Sequence, residues 1–244
     1  MFFKLIYESI VQAFQQLSAN KLRSFLSLTG ISIGIICIIS VLSAVDSLKE
    51  NVNASFEKLG NDVLYIDKMP WNEDPSQNWW KYQKRPQPDI EDLEIIKKNS
   101  KLSSQASFSV FIPGKTIKFG SNSVEGAYMA GVTEDYTDIF NLEFDKGRFM
   151  TPFEAANGSN KVVLGYVLAE NLFGSIDPIG KEVKIKGLDF QVIGVLKKEG
   201  ATLINIFQFD EAALVSFNTA KKLINVRSKY SWGISLNVKA MAGV

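Results

Sequence analysis

Hydrophobic positions are densest at residues 25–45, where the sequence FLSLTGISIGIICIISVLSAV contains no charged residue. About 21 residues at a rise of about 1.5 Å reach about 31 Å, enough to cross a bilayer core of ~30 Å. Only a helix satisfies its own backbone polar groups over such a span. We therefore predict one transmembrane helix over residues 24–46. Two alternatives stay open: a helix buried in a soluble core, which usually has about 10–14 apolar residues, and a cleaved signal peptide, with about 7–15.

A second periodic pattern precedes this segment. Large apolar residues recur at intervals of three or four, with polar residues between them: Phe3, Ile6, Ile10, Phe14 and Leu17. This spacing predicts an amphipathic helix. Because it comes directly before a predicted span, we interpret residues 1–23 as a cytoplasmic helix that lies in the membrane interface and contacts lipid. Packing against protein alone is the alternative.

Charged residues flank the apolar segment on both sides. Lys21 and Arg23 precede it, and Asp46 follows it. Positive residues next to a span favour the cytoplasmic side. We therefore predict a cytoplasmic N-terminus and an extracytoplasmic main domain. The helical pattern continues to Gly60, a typical helix end, which predicts a helical stalk over residues 47–59 that couples the span to the domain outside.

One face of the predicted span carries small residues: Ser27, Gly30, Gly34 and Cys37. Gly30 and Gly34 form a small-xxx-small pair, which lets two helix backbones approach closely. We predict that this face packs against another membrane helix. The alternative is that the pattern arises by chance, as it does in many membrane helices.

Residues after 60 mix strand and helix patterns, with a β-rich middle from about 107 to 196. The predicted strands are Val63–Ile66, Ser107–Ile112, Lys115–Phe119, Ser123–Val132, Val162–Leu164, Lys181–Lys186, Phe190–Leu196, Ala213–Phe217 and Ser231–Val238. The predicted helices are Asp89–Asn99, Glu134–Phe140, a segment that starts at Thr151-Pro152, Tyr166–Phe173 and Thr219–Val226. This order predicts an α+β domain in two lobes, with the β-rich lobe inserted into an α/β lobe.

Residues 69–88 interrupt the regular pattern. They contain four prolines and three tryptophans, and proline at that density predicts a long surface loop. Trp79 and Trp80 are candidate contacts with a partner or the membrane interface. The alternative is that they pack the loop onto its own domain.

The composition and motifs of the chain limit the partners and functional sites that we expect. The net charge of +1 gives no electrostatic reason to expect a nucleic-acid partner. The absence of His excludes His-based zinc sites and Ser-His or Cys-His nucleophile pairs. The segment Gly174–Lys181 has five residues between its glycines and Glu182 after its lysine, so it does not fit a phosphate-binding loop. We therefore predict no catalytic, cofactor or metal site.

Several short motifs occur in a fixed order behind the predicted span. They are Asn20–Leu26, Gly30–Gly34, Gly131-Val132, Asp135-Tyr136, Gly147–Phe149, Val163–Gly165, Leu172–Gly174, Asp177–Lys181 and Val192–Leu196. In this order the chain resembles the permease subunits of MacB/FtsX-type ABC transporters, with their first membrane helix and extracytoplasmic core domain.

The resemblance implies a core domain over residues 60–244 with a Porter-like lobe at about 60–110 and 211–244 and a Sabre-like lobe at about 111–210. It implies no catalysis in this chain. Instead, a separate ABC ATPase subunit would drive motion that the membrane helices transmit outwards. Family members have three more membrane helices after this domain, so we interpret the sequence as truncated at its C-terminal end.

The resemblance also implies a location in the bacterial inner membrane and a dimer with a second copy or a paralogous permease. A periplasmic adaptor protein and an outer-membrane channel are further implied partners. The implied role is export or efflux, lipoprotein release, or control of cell-wall hydrolases. Two other classes stay open: a single-span receptor with an extracytoplasmic ligand-sensing domain, and a membrane-anchored enzyme.

Overall fold

The computed structural model describes residues 2–59, 62–69, 80–82, 84–199, 208–226 and 233–241. The chain divides into two compact units, residues 1–53 and 54–244. The first unit is helical, and the second contains every β-strand among the described residues.

The first unit consists of α1 (Phe2–Ala19) and most of α2 (Lys21–Leu59). Both helices were predicted, but the break between them lies at Asn20 and not at residue 23. The Asn20 carbonyl accepts the first bond of α2, from Ser24 N at 3.0 Å, which is the part that an N-cap residue plays. Within α2, residues Lys21–Asn53 are long and apolar enough to cross a membrane by length and composition alone. The helical pattern predicted up to Gly60 is confirmed, since α2 ends at Leu59.

The second unit is a mixed α+β domain. Its strands are β1 (Val63–Asp67), β2 (Ser103–Phe119), β3 (Asn122–Val132), β4 (Phe144–Gly147), β5 (Lys161–Leu164), β6 (Glu182–Ile185), β7 (Leu188–Leu196), β8 (Ala212–Ser216) and β9 (Ile234–Ala240). Its helices are α3 (Ile90–Asn99), α4 (Tyr136–Ile139), α5 (Pro152–Ala156), α6 (Tyr166–Phe173) and α7 (Phe217–Leu223), with a 3-10 turn at Phe209–Glu211.

Six of the described strands close into a barrel. Their order is β2-β3-β8-β5-β7-β6, and β6 pairs back to β2. The pairs β3–β8 and β5–β7 are parallel, and the other four are antiparallel. Beyond the barrel, β9 and β1 extend the sheet from β2, and β4 pairs with the far end of β7. Closure leaves the barrel strands few open edges.

Apolar side chains fill both faces of the sheet. Along β5, Val162 and Leu164 belong to one buried cluster and Val163 to another. The first cluster also includes residues of α3, α6 and α7, and the second includes residues of α4 and the 3-10 turn. A strand that is covered on both faces has a continuous run of apolar residues in its sequence and does not alternate between apolar and polar residues. Strands β5 and β8 show such runs.

Two sequence predictions in this unit are corrected, and one strand was missed. Residues 107–119 were predicted as two strands broken at Pro113-Gly114, but β2 is one strand with two register shifts between Ile112 and Ile117. Bulges of this kind accommodate a proline, which lacks an N–H to donate. The hairpin turn was predicted at residues 187–189, but it is Lys186-Gly187, with φ of 51° and 81°, the left-handed pair of a two-residue turn. Strand β4 was not predicted.

Helix boundaries follow the capping residues. The prediction Tyr166–Phe173 is confirmed at both ends. Helix α3 begins at Ile90 because Asp89 caps it, and α5 begins behind the Thr151 cap with proline at its start, as predicted. Helix α7 begins at Phe217 and not at Thr219, because the Ser216 hydroxyl accepts from Thr219 N at 3.1 Å.

Candidate functional site

The small-residue face of α2 keeps the arrangement that its spacing predicts. At about 100° per residue, Ser27, Gly30, Gly34 and Cys37 fall within an arc of about 80°. All four residues are exposed. A Cβ atom added at Gly30 or Gly34 would meet no neighbouring atom within 4 Å. The face is therefore open for a second helix to approach.

The structure describes the three flanking charges and one tryptophan of the pair. Lys21, Arg23 and Asp46 lie on α2 and are exposed. Lys21 and Asp46 are 25 positions apart, or about 38 Å along a helix, so both fit at the ends of a span. Trp80 belongs to a helical turn at residues 80–82 and is 56 % exposed. Trp79 lies outside the described residues.

Four motif glycines occupy tight contacts between elements of the outer domain, and one is Gly147, where an added Cβ atom would collide with the Ile193 carbonyl oxygen. A Cβ atom at Gly165 would collide with the carbonyl oxygens of Phe209 and Asp210, and one at Gly131 would collide with Ala220 Cβ. At Gly194 the Cβ would lie 2.5 Å from the Arg148 carbonyl oxygen. These motif positions are thus explained by close packing within the domain.

An ion pair follows strand β4. Arg148 Nη1 and Nη2 donate to Glu154 Oε2 and Oε1 at 2.7 and 2.9 Å, and Thr151 N donates to Glu154 Oε2 at 2.9 Å. These bonds lower the pKa of Glu154 to about 2, with the Arg148 bond the largest cause. Sequence analysis found the Thr151 cap but missed the ion pair. A Thr-x-x-Glu capping box signals the bonds between Thr151 and Glu154, but it does not point to Arg148.

Tyr136 is buried in the second apolar cluster, and the half-buried Tyr128 packs against it. The Tyr136 ring lies 4.5 Å from the Phe140 ring and 6.3 Å from the Phe209 ring. Burial raises the pKa of both Tyr136 and Tyr128 above the ordinary tyrosine value. These phenols therefore stay protonated at neutral pH and act as packing groups.

The described part of the outer domain has two surface clefts that bring charged side chains together. One, of about 280 Å³, is lined by polar residues that include Asp145, Lys146 and Glu170. The other, of about 560 Å³, brings together Lys186, Lys221 and Lys222 beside an apolar wall. Sequence reasoning missed both, because their residues come from separate elements. Within the described residues, no group of three or more Cys, Asp or Glu side chains could hold a metal ion.

One protein family matches the part of the chain that contains the long apolar helix and the barrel-containing domain. The family described as the MacB-like periplasmic core domain matches residues 24–244. The chain belongs to this family. The resemblance stated from the sequence motifs is thereby confirmed.

Relatives of the MacB-like chain include transporter proteins of several bacteria. It is 26 % identical over 199 residues to the pyoverdine export ATP-binding/permease protein PvdT of Pseudomonas syringae pv. tomato. It is 29 % identical over 195 residues to the macrolide export ATP-binding/permease protein MacB of Chlorobaculum tepidum, and 25 % over 194 residues to the ABC transporter permease YvrN of Bacillus subtilis. These matches cover 81, 78 and 79 % of the chain and 28, 29 and 47 % of the relatives' lengths.

Two solved structures share the fold. The periplasmic region of MacB from Actinobacillus actinomycetemcomitans matches with a TM-score of 0.62 and 20 % identity, over 77 % of this chain and 78 % of that one. The extracellular domain of the noncanonic ABC-type transporter YknZ from Gram-positive bacteria matches with a TM-score of 0.56 and 22 % identity, over 74 % and 84 %. The mixed α+β prediction is confirmed at this level.

Proposed function

We propose that this chain is part of a permease subunit of a MacB/FtsX-type ABC transporter. In this role it transmits ATP-driven motion from the cytoplasm to an extracytoplasmic domain. The observation that carries the proposal is the family match over residues 24–244, which includes the apolar part of α2 as well as the barrel-containing domain. PvdT and MacB are named as export ATP-binding/permease proteins and YvrN as an ABC transporter permease, which supports the permease assignment.

The proposed membrane arrangement places α2 across the bacterial inner membrane. Residues 24–46 form the span, α1 lies in the cytoplasmic interface, and residues 47–59 form the stalk. The length and apolar composition of Lys21–Asn53 support the span, and Lys21 and Arg23 support a cytoplasmic N-terminus. Ser27, Gly30, Gly34 and Cys37 then face a neighbouring membrane helix, and residues 60–244 lie outside.

We further propose two lobes in the outer domain. Strands β1 and β9 and the start of β2 supply a Porter-like lobe from about 60–110 and 211–244, and β3 to β7 supply a Sabre-like lobe from about 111–210. The barrel supports a β-rich middle lobe, since most of its strands come from that range. Strand β8 comes from the second Porter-like segment but pairs with β3 and β5, so the lobes share a sheet.

The proposed partners are a separate ABC ATPase subunit and a second permease, either another copy or a paralogue. The name of YvrN, a permease without an ATP-binding label, supports a separate ATPase chain. A periplasmic adaptor protein and an outer-membrane channel are further partners in the proposal, with Trp79 and Trp80 as contacts. Export, efflux or lipoprotein release is the proposed outcome of the cycle.

Affinity purification tests the proposal directly. The full-length protein encoded by the gene is tagged, extracted from membranes in mild detergent, and analysed by mass spectrometry and ATP-hydrolysis assay. We expect an ABC ATPase to co-purify and to hydrolyse ATP in the complex. An unrelated membrane protein with the same tag is the control.

The same preparation separates the alternatives. A single-span receptor would bring down a cytoplasmic signalling protein with no ABC ATPase, and that result would overturn the transporter proposal. A membrane-anchored enzyme would show hydrolase activity in the isolated complex that persists without ATP and depends on a carboxylate of the outer domain.

A further inference from the structure

The 560 Å³ cleft, here called the lysine cleft, has walls of two kinds. It lies where α7 ends, beside the start of α3 and the β6–β7 turn. Lys186, Lys221 and Lys222 supply its positive charge. Its apolar wall is formed by Ile90, Phe217, Leu223, Ile224 and Val226. The volume falls in the range of about 300–1,000 Å³ that small-molecule sites occupy.

Hydrogen bonds to neutral oxygens fix the three ammonium groups. Lys186 Nζ donates to the Leu223 carbonyl at 2.9 Å, and Lys222 Nζ donates to the Gly158 carbonyl at 2.6 Å. Lys221 Nζ donates to Asn218 Oδ1 at 3.0 Å and lies 4.7 Å from the centroid of the Phe217 ring. These contacts hold the charges in place without neutralising them.

Lys161 and Lys239 also donate to neutral oxygens, but four other lysines of the outer domain differ in this respect. Their ammonium groups lie 2.6 to 3.6 Å from carboxylate oxygens, in the pairs Lys97–Asp135, Lys146–Asp177, Lys184–Asp189 and Lys197–Glu143. In the described part of the chain, no carboxylate forms such a pair with a lysine of the cleft. The acidic lining residue, Asp89, already caps α3 by accepting from Ile90 N at 2.6 Å.

A helix-capping role explains only part of this arrangement. Lys221 and Lys222 lie in the last turn of α7, where positive charge complements the helix dipole. Lys186, however, comes from the turn after β6, and the apolar wall has no part in capping. Three apolar lining residues, Ile90, Ile224 and Val226, are only half-buried, and their combination with excess positive charge needs another explanation.

We propose that the lysine cleft binds a small amphipathic anion. Its phosphate or carboxylate group lies among the ammonium groups of Lys186, Lys221 and Lys222, and its apolar body lies against the half-buried side chains of Ile90, Ile224 and Val226. The apolar wall gives affinity by burial, and the lysines select the anion over neutral and cationic analogues. This proposal does not depend on the transporter role.

Hexyl phosphate is the test probe, because it combines the two features. The full chain in phosphatidylcholine nanodiscs is titrated by calorimetry with hexyl phosphate, inorganic phosphate and hexanol. We expect hexyl phosphate to bind more tightly than either fragment. Lys221→Glu is expected to weaken binding about tenfold, because reversal places a negative charge beside the phosphate. Lys221→Arg keeps the charge and is expected to stay within about twofold of the original affinity.

Lys181→Glu is the matched control. This substitution changes the net charge by the same amount at an exposed position outside the cleft lining. The affinity of the variant for hexyl phosphate should therefore stay near that of the unchanged chain. Melting of each variant, followed by circular dichroism, checks that the domain is folded. Any one of four results would overturn the proposal. They are equal affinity for hexanol and hexyl phosphate, equal weakening of binding in Lys181→Glu and Lys221→Glu, loss of binding in Lys221→Arg, and no binding of hexyl phosphate to the unchanged chain.

A further titration distinguishes two sources of the anion. Nanodiscs that contain phosphatidylglycerol offer a lipid headgroup to the cleft. Weaker apparent binding of hexyl phosphate in these nanodiscs, seen in the unchanged chain but not in Lys221→Glu, supports a lipid source. Unchanged binding supports a soluble amphiphile, and both results support the site. Neither bears on whether an ABC ATPase co-purifies.

Discussion

Arg148 and Glu154 form a two-pronged ion pair, with Nη1 to Oε2 at 2.7 Å and Nη2 to Oε1 at 2.9 Å. The same carboxylate accepts from Thr151 N and the Thr151 hydroxyl. The Arg148 backbone N–H also donates to the Ile193 carbonyl at 3.0 Å. One pair thus ties the start of α5 to the segment after β4 and, through it, to β7.

Glu154→Gln is expected to make the domain less stable at neutral pH and less sensitive to acid. The pKa of Glu154 is lowered to about 2 from an ordinary 4.5, so its stabilisation is complete above about pH 4.5 and is lost as pH falls towards 2. We expect a loss of about 1–2 kcal/mol at pH 7, which shrinks as the buffer is acidified. Melting of the detergent-solubilised chain, followed by circular dichroism from pH 7 to pH 3, measures both effects.

Glu143→Gln is the control for this prediction. Glu143 also has a lowered pKa, because Lys197 donates a hydrogen bond to it, but its side chain is 69 % exposed. Exposed pairs contribute little to stability, so the acid profile of this variant should follow the unchanged chain. A similar acid profile in Glu154→Gln would show that the Arg148 pair does not stabilise the fold.

Gly165→Ala is expected to destabilise the outer domain strongly. The added methyl group would collide with the Phe209 and Asp210 carbonyl oxygens, and backbone atoms cannot move aside as a flexible side chain can. Overpacking of this kind costs typically about 1–3 kcal/mol, occasionally more. Thermal melting should show a larger decrease than in Gly114→Ala, where φ is +59° but no atom lies within 4 Å. Equal decreases in the two variants would contradict the steric explanation.

Two fully buried serines should respond in opposite ways to loss of the hydroxyl. Ser107 Oγ has no hydrogen-bond partner in the described part of the chain. Ser216 Oγ accepts from Thr219 N at 3.1 Å and lies 2.8 Å from Thr219 Oγ1. We expect Ser107→Ala to be neutral or stabilising and Ser216→Ala to cost about 1–2 kcal/mol. Melting temperatures of the two variants, measured side by side, check this; a comparable decrease in both would mean that Ser107 also has a partner.

Sequence patterns predicted those elements whose ends carry their own signals. Tyr166–Phe173 matched at both ends because it has a helical apolar face and Gly174 follows it. Strand β4 was missed because four residues, one of them glycine, are too short to show a period. Closure of the barrel depends on pairing Ile117 with Ile185, 68 positions apart, and no local pattern encodes a contact at that separation.

Of the candidate sites, too, the sequence predicted only the one that a local pattern encodes. The small-residue face of α2 was predicted from spacing, because a helix fixes the angle between residues three or four apart. The lysine cleft was not predicted, since Lys186 follows β6 while Lys221 lies in the last turn of α7. In the sequence, each lysine alone is typical of a solvated surface charge. Only the fold places them around the same apolar wall.

Gly34→Leu is expected to weaken assembly of α2 with a neighbouring helix while the outer domain stays folded. The leucine side chain would fill the open face beside Gly30 and keep a second backbone at a distance. Cysteine cross-linking through Cys37 in native membranes measures the approach of two copies, and circular dichroism of the purified protein measures folding. Ser32→Leu is the matched control, because about 100° per residue puts Ser32 opposite the centre of the small-residue face. Cross-linking that is equal in both variants and in the unchanged chain would show that this face does not pack against a second copy.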